Sequence, residues 1–574
     1  MRAVLWCFCG LMLHGPVAHA DVFTVGSGVA CTHASVQAAI NAGLDNGNGL
    51  DVINVARNRT YTAQALVAQN DTLVIQGGFT DCSSATGDPN QPTVLSGAGG
   101  SAAPVLRIQG NGNVTLRNLV LQDGDAPANA DGGGLSIVDG PHLITLNNVR
   151  LANNQAGRGA GMAVASNMAS VTVTLQGESR IFGNQASSDG GGIYCLNSNL
   201  SLVTESGIIN SNTSGRDGGG IYAENCHTDL ASGNALGLLW NNQSVRNGGG
   251  IYAFGSFSVT RVYSLFADAL TRLVANVAAV SGGAIYAADG ADVQLQNIEI
   301  ADNAAQDGGG IFYRGSSGSV GNDLTIASTG VADGAVDCPL ASICNRFVDN
   351  YSAVGGVPAD GVAAIAWRLE GSASGRAQIN RASFSGNQGG RVLDSFVQSD
   401  AVTKHMALSN VVLVGNQQTD AQAALIQGQK LVLNFVSIGG NTLAGDAVIR
   451  GLDLQTVLGY VAAYQPGSPL LRQVGGSVLS GYLIANDLSG IPPTVNNLEA
   501  DPRFAGVADL HLRRDSPAID YATSLSALGW PYNIDTEGSP RPLDDSGITN
   551  QFGSIDVGAF ESATDTLFAD GFDS

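Results

Sequence analysis

Charged residues are scarce in this sequence of 574 residues, and lysine is nearly missing. The charged share is 13%, about half of the roughly 25% that is usual in soluble proteins, and lysine occurs only at Lys404 and Lys430. A polysaccharide lyase needs a basic side chain beside carboxylates that bind calcium, and neither lysine lies in a carboxylate cluster. The histidines after residue 20 are isolated from one another as well. The sequence therefore predicts no catalytic residue and no cofactor, with calcium as a weak alternative.

Apolar stretches long enough to cross a membrane are also missing. The run from Val4 to Leu13 follows Arg2, and Ala18-His-Ala20 comes next as a small-residue cleavage site. This arrangement is typical of a signal peptide over residues 1–20, and the run is too short for a membrane helix. We therefore expect an exported chain with no transmembrane segment in its mature part. The formal net charge of −22 argues against nucleic acid and against an anionic membrane surface as partners.

Glycine is abundant, at 77 residues, and much of it belongs to a repeated phrase. Asp189-Gly-Gly-Gly-Ile-Tyr194 returns as Asp217-Gly-Gly-Gly-Ile-Tyr222. A second marker is a bulky apolar residue followed three positions later by asparagine. It recurs at intervals of 30, 28, 30, 34 and 27 residues, with its asparagines at Asn154, Asn184, Asn212, Asn242, Asn276 and Asn303. A period of this size predicts a solenoid in which each repeat forms one coil.

The segments between the markers alternate apolar with polar residues, as in Val171-Thr-Val-Thr-Leu175. Such segments are typical of short strands separated by turns. The predicted fold class is therefore all-β, a right-handed parallel β-helix with a cap at each end. We expect the Asn and Gly markers to serve the corners, because both tolerate left-handed backbone angles and stacked Asn amides bond from coil to coil. Ahead of the coils, Ser35 or Thr32 is predicted to begin a short capping helix that ends near Asn41.

The cysteines after the signal peptide are even in number: Cys31, Cys82, Cys195, Cys226, Cys338 and Cys344. In an exported chain this predicts disulfides. The first two would close the N-terminal region, and the last two a small loop. The middle two lie in neighbouring coils. The second of them stands three residues past the position equivalent to the first, so that pairing is left open.

A column of aromatic residues is the best candidate for a binding surface. Each ring directly follows an isoleucine of a repeat: Tyr194, Tyr222, Tyr252, Tyr286 and Phe312. If the isoleucines point inward, strand alternation places the rings along the outside of one sheet. The rings then either bind a glycan or another protein, or stack on each other and stabilise the sheet.

A second column precedes the Gly clusters and is mostly acidic: Asp131, Asp189, Asp217, Asn247 and Asp307. One interpretation is a groove for calcium or for sugar acids. The other is that these side chains are turn residues that bond nearby backbone, while Arg158, Arg216 and Arg246 relieve the repulsion between carboxylates.

These phrases resemble the repeats of polymorphic outer-membrane proteins and of bacterial right-handed β-helix proteins in general. The C-terminal part resembles the choice-of-anchor Q module through Asp501-Pro-Arg-Phe504, Leu510-His-Leu-Arg-Arg-Asp-Ser-Pro-Ala-Ile-Asp520 and Asp556-Val-Gly-Ala-Phe-Glu561. The final Leu567-Phe-Ala-Asp-Gly-Phe-Asp573 looks like a tail of exported proteins in some Gram-negative bacteria. The resemblance implies surface export and leaves the chemistry open.

The chain thus divides into a signal peptide (1–20), an N-terminal cap with the first coils (21–100), the β-helix (101–495), the choice-of-anchor Q-like module (496–562) and the tail (563–574). We expect a protein that is secreted or held at the cell surface of a Gram-negative bacterium. Its expected role is structural, adhesive or glycan-binding, with an extracellular glycan or a cell-surface protein as partner. The alternative is a carbohydrate-active β-helix enzyme, a polysaccharide lyase or a glycosidase, that acts on extracellular polysaccharide.

Overall fold

The structure is a computed structural model that describes residues 21–45, 49–69, 72–138, 143–165, 171–204, 207–232, 237–266, 269–332, 335, 337–338, 342–354, 357–398, 404–523 and 533–562. The predicted signal peptide and the tail lie outside these residues. Within them, no helix combines the length and the apolar character that crossing a membrane requires.

The chain winds through three strand-bearing faces in every coil, and equivalent strands of successive coils pair in parallel. Face 1 contains Val22–Val25, Leu50–Ala56, Thr72–Phe79, Val114–Arg117, Leu143–Asn147, Thr172–Gln176, Asn199–Thr204, His227–Ser232, Val259–Tyr263, Asp292–Gln296 and Leu324–Ala327. Face 2 contains Thr93–Ser96, Leu119–Gln122, Arg150–Ala152, Arg180–Phe182, Ile208–Asn210, Leu239–Trp240, Thr271–Val274, Ile298–Ala301, Asn345–Val348 and Leu498–Glu499. Face 3 contains Leu66–Gln69, Leu106–Gln109, Leu135–Val138, Met162–Ala165, Ile193–Leu196, Ile221–Glu224, Ile251–Phe254, Ile285–Ala288, Ile311–Gly315, Val362–Leu369, Arg391–Val397 and Leu471–Val474.

Toward the C-terminal end, single long strands bend through two or three faces. They are Ala377–Ser385, Met406–Val414, Ile426–Gly439, Ile449–Tyr464 and Ser477–Ala485. A narrow fourth ladder joins faces 2 and 3: Gln155–Ala156, Gln185–Ala186, Thr213–Ser214, Gln243–Ser244, Val277–Ala278, Ala304–Ala305, Tyr351–Val354, Gln388–Gly389, Gln417–Gln418 and Thr442–Leu443. Val357–Pro358 pairs antiparallel with Tyr351–Val354. The predicted parallel β-helix is confirmed.

Alternation within the strands explains why the coils close around one core. In Thr172–Gln176 the valine and leucine are buried and the two threonines are half-buried. Equivalent apolar residues line up coil after coil, so one continuous cluster extends from Val25 to Ile491. Burying each such side chain contributes about 1.5–3 kcal/mol, which a single coil cannot gain alone.

The N-terminal end of the core is covered by a helix over Val36–Asp45. The hydroxyl of Ser35 accepts the backbone N–H of Ala38 at 3.2 Å, so Ser35 is the N-cap of the two predicted candidates. Val36 and Ile40 face the core and are buried. The helix ends four residues after the predicted Asn41.

The described residues of the C-terminal module, 496–523 and 533–562, lie alongside the last coils. Leu488 and Ile491 pack on the open end of the core, whereas the later segment covers the corner between faces 1 and 2. Its Ala518 and Val557 pack there in a second apolar cluster together with Tyr460 of the coils.

Candidate ligand-binding groove

The asparagines of the predicted column form one buried ladder of hydrogen bonds. The side-chain oxygen of Asn184 accepts the backbone N–H of Asn154 at 3.0 Å and its side-chain amide at 2.9 Å. The amide of Asn184 donates in turn to the carbonyl of Leu151 and to the side chain of Asn212. The contacts continue through Asn212, Asn242, Asn276, Asn303, Asn350, Asn387, Asn416 and Asn441. Because both the oxygen and the amide hydrogens are engaged, this column holds coils together and leaves little for a ligand.

The left-handed backbone angle at this corner belongs to the residue before each column asparagine. The φ angle is 54° at Asn153, 53° at Ser211 and 55° at Asn241. The expectation that the column asparagines themselves take left-handed angles is therefore wrong, and their contribution is the stacked amide. The Gly clusters do follow the expectation, since Gly190 and Gly218 have φ angles of 65° and 67°.

All three cysteine pairs are disulfides. Cys31 joins Cys82, and Cys338 joins Cys344. The pairing left open on sequence grounds also forms: Cys195 and Cys226, with Cα atoms 6.0 Å apart, connect two consecutive coils inside the core. The offset of three residues is bridged because Cys226 lies at the bend that follows face 3, outside the strand Ile221–Glu224.

The five rings of the aromatic column form one continuous stack on the outside of face 3. The isoleucines that precede them point inward and are fully buried. Successive ring centroids from Tyr194 to Phe312 are 5.2, 5.0, 4.9 and 5.4 Å apart, with planes inclined by 16° or less. Parallel in-register pairing produces this geometry, because equivalent residues of adjacent strands lie about 4.8 Å apart.

An arginine covers each end of the stack. The Arg158 guanidinium lies 4.5 Å from the centroid of Tyr194, and the Arg368 guanidinium lies 5.4 Å from that of Phe312. Arg158 also forms an ion pair with Asp131 at 2.7 Å. The flat faces of the column are thus occupied by other rings or by arginines. Tyr194, Tyr286 and Phe312 are buried, whereas Tyr222 and Tyr252 are half-buried. Only these two rings of the stack therefore have partly exposed edges.

Burial keeps the tyrosine hydroxyls neutral. It raises the pKa of Tyr194 to about 12 and raises the pKa of Tyr222 and Tyr252 well above the ordinary value. The Tyr222 hydroxyl donates to the Glu224 carboxylate at 3.1 Å. At neutral pH these groups act as hydrogen-bonding partners and not as general bases.

A groove of about 490 Å³ lies beside the C-terminal half of the stack, and we call it the ring groove. Two residues after each ring, the strands of face 3 carry a second outward column, in which Ala288 lies between Phe254 and Arg314. Because its side chain is short, Ala288 forms the floor of the groove. Its apolar lining is completed by Tyr252, Tyr286, Phe312 and Val280, and its polar rim is formed by Arg246, Asn247, Ser281, Asp289, Arg314, Ser316, Arg368 and Glu370.

Two of the arginines that line the ring groove form ion pairs, and their partners differ in exposure. The Arg246 side chain is 50% exposed and lies 3.7 Å from the Asp217 carboxylate, which is 5% exposed. Arg314 binds Glu370 through two hydrogen bonds of 2.9 and 3.0 Å. The rim therefore offers guanidinium donors together with carboxylate, amide and hydroxyl groups, around an apolar floor.

The predicted acidic column serves mainly as a set of turn residues. The Asp189 carboxylate accepts the backbone N–H of Asp217 at 3.2 Å, and the Asp217 carboxylate accepts that of Asn247 at 3.0 Å. Arg158 occupies the equivalent position of this column in the coil after Asp131, and the two residues form a parallel β-bridge. In the part of the chain that the structure describes, no three His, Cys, Asp or Glu side chains are grouped to hold a metal ion.

Sequence reasoning missed the groove-lining residues beyond the rings. Phe254 and Arg314 belong to the position two residues after the ring in each coil, so period-two alternation could have found them. The sequence does not reveal Arg368, which lies 61 residues from its partner Asp307 and binds it at 2.6 Å. Asp394 was missed as well. It is buried 3.6 Å from Arg368, and burial raises its pKa.

Comparison with known proteins agrees with the coil geometry. Residues 178–196 match the Chlamydia polymorphic membrane protein repeat. The chain is a parallel β-helix repeat protein. The matched segment runs from one face-2 strand through Asn184 and the Gly cluster to the first ring of the stack, and it does not reach the module at 496–562. No curated protein matches the chain.

Proposed function

We propose that this protein is a surface-exposed, outer-membrane-associated β-helix protein of a Gram-negative bacterium that binds an extracellular glycan in the ring groove. The observation that supports it most is the combination of an apolar lining, which includes Ala288 and Phe254, with a rim that carries both donors and acceptors. Sugars present apolar C–H faces and many hydroxyls, which such a surface can satisfy. The polymorphic membrane protein repeat supports the surface location.

The stack gives the groove a rigid base. Tyr252 and Tyr286 are held at 4.9 Å by parallel strands on both sides, so their edges do not rearrange when a ligand arrives. A preformed surface loses little conformational entropy on binding. Phe254 lies outside the stack and is half-buried, which leaves its ring as the contact for a sugar face.

Replacing the ring of Phe254 tests the proposal. Phe254→Ala is expected to weaken retention on a polysaccharide array about tenfold, because an aromatic contact worth about 1–1.5 kcal/mol corresponds to that factor. Phe396→Ala is the matched control. Phe396 occupies the same outward column of face 3 and is 38% exposed, but it does not line the groove.

Equal loss in both variants, or none in Phe254→Ala, would contradict the glycan site. Binding to intact cells that survives removal of surface polysaccharide, and that still depends on Phe254, would point to a cell-surface protein as the partner instead.

The alternative function, a carbohydrate-active enzyme, is favoured by one observation. The Arg368 guanidinium lies 2.6 Å from the Asp307 carboxylate and 3.6 Å from the buried Asp394 carboxylate. Burial raises the pKa of Asp394, and a carboxyl with a raised pKa suits a general acid. Incubation with uronate polysaccharides and calcium, followed by the ultraviolet absorbance of unsaturated products and by an assay for new reducing ends, tests it. Turnover that is lost in Asp394→Asn would establish the enzyme. Saturable binding of the polysaccharide without turnover supports the glycan-binding role.

A further inference from the structure

A second groove lies where residues 496–562 meet the last coils, and we call it the module groove. It measures about 430 Å³ and is lined by Gly440, Tyr464 and Pro466 of the coils and by Phe504, Val507 and Leu510 of the module. Val507 is 78% exposed and Tyr464 is 38% exposed. Large apolar side chains gathered in one open groove indicate a surface that is covered by another group.

The described chain ends next to this groove. Phe560 is buried in a cluster with Leu510 and Phe504, both of which line the groove. The backbone N–H of Ser562 is held by the Asp556 carboxylate at 2.7 Å. Ser562, the last described residue, is therefore close to the groove wall in sequence and in its packing. An extended chain advances at most about 3.3–3.6 Å per residue, so Leu567 and Phe568 can reach any part of a groove of this size.

The chemistry of the tail complements the groove. Its apolar residues are Leu567, Phe568 and Phe572, and its charged residues are Asp565, Asp570 and Asp573. Arg503 and Arg513 line the groove and share the carboxylate of Asp515 at 3.1 and 3.3 Å. Asp501 lines it as well, and its carboxylate accepts the backbone N–H of Arg503 at 2.7 Å. Both arginine side chains are about half exposed, at 49% and 59%, so they have N–H groups available to a further carboxylate.

We infer that the module groove is the docking site of the chain's own tail. The apolar side chains of residues 567–572 enter between Val507, Tyr464 and Phe504, and the tail carboxylates contact Arg503 and Arg513. A tail held in this way is not available as an extended peptide to any factor that recognises or cleaves it. Docking therefore regulates access to the tail, independently of the ring groove.

Photo-crosslinking in the full chain tests the docking. With p-benzoylphenylalanine in place of Phe568, irradiation is expected to link residue 568 to peptides that contain Tyr464 or Val507 of the same molecule, as mapped by mass spectrometry. Val507→Glu is expected to reduce this crosslink about tenfold, because a carboxylate placed against apolar side chains opposes docking. Val495→Glu, at a site that is 86% exposed and outside the groove, is the matched control and should leave the yield unchanged.

Crosslinks that fall elsewhere on the chain, or the same yield in Val507→Glu and wild type, would overturn the inference. Crosslinks only between different molecules would overturn it as well and would assign the groove to a partner segment. Retention on the polysaccharide array is expected to be the same in Val507→Glu and wild type, so the two grooves are tested separately.

Discussion

Two of the aromatic stacks in the described part of the chain arise from the same coil geometry but differ in what covers them. The stack on face 3 runs from Tyr194 to Phe312 and borders an open groove. The other consists of Phe435, Tyr460 and Tyr482, with centroids 4.2 and 5.5 Å apart, and lies beneath the C-terminal module. In-register strands produce both stacks. The covering segment decides whether the rings lie beneath another part of the chain or border an open groove.

The covered stack also has a backbone penalty that the open stack lacks. Phe435, Tyr460 and Tyr482 turn the corner between faces 1 and 2 with φ angles of 55°, 54° and 56°. A left-handed angle costs a non-glycine residue roughly 1–2 kcal/mol. The module offsets this cost by burying all three rings, and Tyr482 contacts the rings of Tyr521 and Phe552.

Arg541 covers the first ring of the covered stack, and Arg158 covers the first ring of the open stack. Removing these two side chains should produce the largest contrast. Arg541 lies 3.8 Å from the Phe435 centroid, pairs with Glu561 at 2.7 Å and is 1% exposed. Arg541→Ala leaves a buried carboxylate without its partner and is expected to cost about 3–5 kcal/mol of unfolding free energy. Arg158→Ala removes the same two kinds of contact from a side chain that is 40% exposed, and should cost less than about 1 kcal/mol. Urea unfolding followed by circular dichroism measures both, and comparable losses would show that burial does not separate the two stacks.

The rings themselves should show the next largest effect. Tyr460→Ala removes a ring that is 3% exposed and a hydrogen bond of 2.9 Å to the Thr523 carbonyl, at an expected cost of about 3–5 kcal/mol. Tyr460→Gly loses the same contacts but relieves the left-handed angle, so it should be about 1 kcal/mol less destabilising than the alanine variant. Tyr252→Ala, in the open stack, is expected to cost about 1–2 kcal/mol. If glycine is worse than alanine at position 460, the backbone there is not strained.

A histidine gives the module a small dependence of its stability on pH. Burial lowers the pKa of His511, but its hydrogen bond to Asp509 at 2.6 Å and the nearby Glu537 outweigh burial and raise it above the ordinary value. A raised pKa in the folded state stabilises the protein below the unfolded value, about 6.5, and this stabilisation is lost as pH rises through the folded pKa. Stability should therefore fall between roughly pH 6 and pH 8 by less than about 1 kcal/mol, since the side chain is 45% exposed.

His511→Gln isolates this effect. Burial raises the pKa of Asp556 to about 6, which also makes stability fall as pH rises, but that contribution is present in both proteins. The difference in urea midpoint between wild type and His511→Gln is expected to shrink from roughly pH 6 to roughly pH 8. A difference that stays constant or grows would show that the ion pairs of His511 do not stabilise the module.

The coils could be predicted because each marker recurs at the equivalent position of successive repeats. The interval between Asn184 and Asn212, the inward Ile221 and the ring of Tyr222 all follow from alternation and period. The disulfide between Cys195 and Cys226 could not be settled in this way, because it depends on where the chain bends between two faces.

The sequence by itself determined a parallel solenoid, its buried asparagine ladder and a column of aromatic rings, because these depend on contacts between equivalent positions one coil apart. Only the tertiary structure decided that those rings stack face to face and that Ala288 leaves a groove beside them. It also decided that Arg541, 106 residues after Phe435 in sequence, lies over that ring. Such contacts join residues that share no period, so they depend on how a non-repeating segment packs on the repeating one.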